Sequence, residues 1–112
     1  MFIRETTEMI LAYIISSSAE EAEQIAIDLL EKKLVYSINI IPDVYSMKRQ
    51  DDKVVKLKRT IVLCKTKSLL YRQIEDEVER VQTSDSTIIF SMPMTQLSQN
   101  LFDQIQANTP KI

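Results

Sequence analysis

The sequence predicts an α+β fold, an antiparallel sheet with its two main helices on one face, and three features of the 112 residues predict it. Extended apolar stretches lie at 9–16, 34–49, 53–66 and 87–94, the compositions that pleated, partly buried strands require. Between the first pair, and again between the last pair, apolar residues recur at spacings of three and four, the helical period. The middle two stretches are joined by a tight charged bend at Gln50, Asp51, Asp52 and Lys53. The order is β-α-β-β-α-β with a terminal helix, the ferredoxin-like sandwich plan.

The first strand, 9–16, is continuously apolar with β-branched and aromatic members, as a central strand should be. Ser16, Ser17 and Ser18 break it. Ser18 and Glu21 have capping-box spacing, and Glu20, Glu21 and Glu23 suit the positive end of a helix dipole. Ala22, Ile25, Ala26, Leu29 and Leu30 then form one apolar face to about Lys33.

The first hairpin arm starts near Leu34 and contains Pro42 and Asp43, so a bulge or edge position is expected there. On the returning arm Val55, Leu57, Ile61 and Leu63 share one face, expected to be core, and Lys56, Lys58, Thr60, Val62 and Cys64 share the other. Each arm can reach twice the usual strand length of about 5 or 6 residues. Its distal half therefore needs a partner, and oligomerisation is expected.

Leu70, Ile74, Val78 and Val81 mark a second amphipathic helix over 68–81, with Asp76 and Arg80 expected to pair at i,i+4. A polar break at 83–86 precedes the last strand, where Ile88, Phe90, Met92 and Met94 share a face. Leu97, Leu101, Phe102 and Ile105 predict a short final helix ending near Asn108, before Pro110.

At this length one domain over 1–112 is expected, burying roughly two thirds of its unfolded surface. A net charge of −2 gives no general attraction for nucleic acid or acidic membrane, and neither is expected as a partner. Glycine and histidine are both absent. Phosphate loops that need glycine, and nucleophile pairs or zinc sites that need histidine, are thereby excluded. The single cysteine, Cys64, reads as a buried thiol. The apolar run at 9–15 is too short for a membrane span and lacks the flanks of a signal peptide, so a cytoplasmic setting is expected.

The run Leu34, Val35, Tyr36, Ser37, Ile38, Asn39, Ile40, Ile41 and Pro42, with Lys65 and Thr66 further on, carries a resemblance, over about nine tenths of the chain, to the CutA family of divalent-cation-tolerance proteins. The family's Leu-Ala-Ala-Cys-Val-Asn-Ile-x-Pro is similar to Leu34, Val35, Tyr36, Ser37, Ile38, Asn39, Ile40, Ile41 and Pro42. Ser46, Arg49, Lys65, Thr66, Met92 and Pro93 match further family positions. Departures occur at Ser37 for the cysteine, Lys48 and Gln50 for tyrosine and tryptophan, and Asp52 for the hairpin glycine. Gln82, Thr83 and Ser84 stand in for His-Pro-Tyr. The resemblance implies a ferredoxin-like subunit in a compact homotrimer, a non-enzymatic protein of divalent metal tolerance. Copper ligation by thiolate or imidazole does not carry over, because those donors are replaced.

Four groups remain as candidate sites. Asp51 and Asp52 can bind a hard divalent cation where symmetry gathers several copies, although Asp in a tight bend is also ordinary turn chemistry. Met92, Met94 and Cys64 offer soft sulfur, or are core filler. Lys48, Arg49, Lys53, Lys56, Lys58, Arg59, Lys65 and Lys67 hold over half of the basic residues and can attract a small anion, or simply guard a strand edge. Ser37, Asn39, Tyr45, Arg49, Lys56, Lys58 and Lys65 are the residues expected to line a cleft between subunits. The leading expectation is metal tolerance with weak divalent-cation binding. The alternative is a PII-like module that senses a small molecule or anion in those clefts.

Overall fold

The computed structural model describes residues 3–5 and 8–111. The elements run β1 (Ile3–Glu5), β2 (Met9–Ser16), α1 (Ala19–Glu31), β3 (Ser37–Gln50), β4 (Lys53–Lys67), a 3-10 turn (Ser68–Leu70), α2 (Tyr71–Val81), β5 (Ile88–Pro93), β6 (Gln96–Ser98) and α3 (Gln99–Asn108).

Helix α1 begins where Ser18 Oγ accepts the Glu21 N–H at 3.1 Å. Its end is set by Lys33, which takes φ 59°. There Lys33 N–H bonds Leu30 O and Leu34 N–H bonds Leu29 O, both at 3.0 Å, the paired bonds of a Schellman motif. A glycine-free chain thus places lysine in the left-handed region, at a cost of about 1 kcal/mol. The turn drops Leu34 onto the core beside Leu29.

Helix α2 buries Ile74 and Val78 and exposes its charged side. The expected Asp76–Arg80 pair is replaced: Arg80 bonds Glu77 on its own helix and reaches Asp28 on α1 at 3.1 Å. Lys32 closes on the same Glu77 at 2.6 Å, so tertiary contact between the helices outcompetes the local i,i+4 pair. Arg80 and Lys32, by hydrogen bonds, hold the Glu77 carboxyl below its ordinary pKa.

The main sheet is antiparallel in the order β3-β4-β2-β5. Ala12 and Ile14 of β2 and Val62 and Cys64 of β4 face the helices, packing on Ala22, Ile25, Leu29, Leu70 and Ile74. The core face of the returning arm is therefore the even-numbered one, where Thr66 Oγ1 also donates to Leu34 O at 2.6 Å. Leu63 lies on the opposite face with Tyr13 and Phe90, its neighbours by register. Period two gave the two faces correctly; which one the helices cover depends on contacts far along the chain.

The hairpin arms contain 14 and 15 residues. Pairing shifts between Ile41↔Ile61 and Val44↔Arg59, so β3 carries one extra residue around Pro42 and Asp43, with Asp43 at φ 59°. The bulge expected at Pro42 is present. At the tip Asp51 and Asp52 take φ 52° and 61°, the two positive values of the turn that suits a two-residue hairpin. Strand β2 pairs with β4 only as far as Thr60, so residues 53–59 and their partners in β3 form a two-stranded ribbon. Seven residues at about 3.3 Å each carry it roughly 23 Å beyond the sheet. The principal extents are 47 × 26 × 21 Å. The radius of gyration, 15.0 Å, exceeds the about 13 Å of a compact chain this long.

The sequence reading missed a second sheet, in which β1 pairs antiparallel with β6. Leu97 belongs to that strand rather than to the final helix, which starts after Ser98, whose Oγ accepts the Leu101 N–H at 3.1 Å. Leu97, Phe102 and Ile105 bury against Met9, with Tyr36, Met94 and Leu101 at the margin of this second cluster. Among the described residues no helix is long and apolar enough to cross a membrane.

Candidate functional site

The bulge decides how the candidate residues are distributed. Before it, Ser37, Asn39 and Ile41 of β3 lie opposite Lys65, Leu63 and Ile61, on the face away from the helices. After it, Val44, Ser46 and Lys48 continue that face, opposite Arg59, Leu57 and Val55. Tyr45, Met47 and Arg49 share odd numbering with Asn39 but lie on the other face, opposite Lys58, Lys56 and Val54. One extra residue reverses the parity, and the expected cleft divides into two groups.

The first group is close-knit. Lys65 Nζ donates to Asn39 Oδ1 at 2.9 Å and to Ser37 Oγ at 3.5 Å. Its surroundings by register are Leu11 and Met92. Leu11, Tyr13, Ile15, Leu63, Ile88, Phe90 and Met92 make this sheet face apolar, with Tyr13 and Phe90 stacked at 4.8 Å between ring centroids. Ile88, Phe90, Met92 and Ile41 are each about two fifths exposed or more, which leaves an apolar sheet face open.

The second group lies on the ribbon. Lys56 Nζ sits 4.2 Å from the Tyr45 ring centroid, a cation–π contact. Lys58 lies 3.7 Å from Asp43, both well exposed, a pair of little energetic weight. Arg49 faces the same side, while Asp51 and Asp52 occupy the tip. Tyr45, Met47 and Val54 are all more than half exposed.

The sulfur candidates are not brought together. Cys64 is fully buried under the helices, Met92 is on the open face, and Met94 borders the second cluster. Burial pushes the Cys64 thiol up to about 12, and the neighbouring Lys65 charge offsets only part of that. Such a thiol is neither a ready ligand nor a nucleophile.

The most heavily bonded charged group was read from sequence only as a helix cap. Glu21 is 3% exposed. Its Oε1 accepts from Ser16 Oγ at 2.5 Å, Thr87 Oγ1 at 2.7 Å and Ser17 N–H at 3.2 Å. Its Oε2 accepts from the Thr83 N–H at 2.7 Å and Thr83 Oγ1 at 2.8 Å. Burial raises its pKa, but the bonds from Ser16, Thr83 and Thr87 together outweigh burial and hold it down to about 2. The expected capping box is thus half formed, since the carboxylate turns from the Ser18 N–H towards the α2–β5 loop. The hydroxyl-rich run at 83–87 was the signal that a buried acceptor lay nearby. Through Ser86 Oγ, which accepts from Arg59 Nη1 at 3.2 Å, the same loop reaches the base of the ribbon.

Residues 10–108 match the CutA1 family, described as CutA1 divalent ion tolerance protein. The chain belongs to the CutA1 family. A divalent-cation tolerance protein CutA of Archaeoglobus fulgidus is 32% identical over 93 residues, covering 83% of this chain and 90% of the relative. The solved structure of the periplasmic divalent cation tolerance protein CutA from Archaeoglobus fulgidus superposes with a TM-score of 0.83 at 30% identity, covering 89% of this chain and 97% of that one. The crystal structure of CutA1 from Oryza sativa gives 0.88 at 19% identity, covering 96% and 98%, a likeness of fold. Within the CutA resemblance, Thr83 stands where the family has the proline of His-Pro-Tyr. A proline has no N–H, and no hydroxyl, to give Glu21. In this chain Thr83 supplies both, its N–H at 2.7 Å and its hydroxyl at 2.8 Å.

Proposed function

We propose that this chain is a non-enzymatic, trimeric CutA protein acting in divalent metal tolerance, with weak divalent-cation binding of its own. Each subunit is read as a ferredoxin-like sandwich, and the copies meet through the open sheet face and the ribbons. The observation that carries the reading is the apolar face around Tyr13 and Phe90, continuous by register with a ribbon that has no third strand. A two-stranded ribbon of this length is marginal in water by itself. A second and third copy cover both. Symmetry would bring several copies of Asp51 and Asp52 near enough to share a hard cation through carboxylate oxygens. The group of Lys65, Asn39 and Ser37 would then line the subunit boundary, where its polar atoms position the strands.

Light scattering tests the assembly. A mass three times the 13.0 kDa of the chain is expected, and a monodisperse monomer overturns the reading. Calorimetric titration of metal-free protein with Mg²⁺, Ca²⁺, Zn²⁺ and Cu²⁺ tests the metal role. Weak binding that disappears in the D51N/D52N double variant supports the tip site; unchanged binding in that variant removes it. A cytoplasmic setting belongs to the same proposal, and fractionation decides between it and the periplasmic setting named for the Archaeoglobus relative.

A further inference from the structure

We draw no further inference here: the strongest candidate, the side-chain cluster of Lys65, Asn39 and Ser37 on the open sheet face, belongs to the subunit boundary already described, its lysine is bonded to Asn39 Oδ1 at 2.9 Å, and with Asn39 exposed nothing in the structure shows what else would cover it.

Discussion

The Glu21 carboxylate takes both the backbone N–H and the hydroxyl of Thr83, 62 positions along the chain, at 2.7 and 2.8 Å. It thereby joins the first turn of α1 to the loop entering β5, and the same loop separately accepts a hydrogen bond from Arg59, at the base of the ribbon, through Ser86 Oγ. A buried charge with five donors is secure only while it stays charged.

Its pH signature follows. Glu21 has a folded-state pKa of about 2 against an ordinary 4.5, so folding favours the ionised form. The resulting stability is fully present above about pH 4.5 and is lost as pH falls towards 2. Glu21→Gln places an amide donor among donors and should cost about 2–3 kcal/mol at pH 7. Denaturant melts at pH 7 and pH 3 should show a smaller acid penalty in E21Q than in the wild type; an equal penalty would exclude Glu21 as its source.

For Cys64, a thiol raised to about 12 and fully buried should be inert at pH 8. An aromatic disulfide reagent is expected to label it at the rate of global or local opening, orders of magnitude slower than in denaturant. Rapid labelling of the native protein would show that the helix-covered face is open.

Lys33 carries a positive φ for want of glycine. Lys33→Gly should stabilise the chain by up to about 1 kcal/mol by removing the Cβ conflict at the end of α1. The same reasoning applies to Asp52→Gly at the hairpin tip, where φ is 61°. Melting temperatures of the two variants check this, and a fall in both would mean that the side chains make contacts outweighing the backbone relief.

On the open sheet face, Phe90 stacks on Tyr13 and is 41% exposed. If that face stays in water, Phe90→Asp costs little beyond the ring pair, about 0.5–1.5 kcal/mol. If other copies cover it, the buried charge should split the assembly, seen as a drop in mass by light scattering and a much larger loss of stability.

Local chemistry made much of this protein legible as a string of residues. Alternation and helical spacing gave the main strands and two helices, Ser18 gave a helix start, Pro42 gave the bulge, and the paired aspartates gave the turn. The run from Leu34 to Pro42 with Lys65 and Thr66 gave the family. Each of these depends on neighbours within a few positions, and so is written in order along the chain. The tertiary structure decided which face of β4 the helices cover and that Ser37 and Tyr45 lie on opposite sides of the ribbon. It also set the sulfurs of Cys64 and Met92 apart, and made Glu21 a buried hub rather than a surface cap. Those outcomes turn on register and on burial between segments tens of residues apart, where one inserted residue reverses every side chain beyond it.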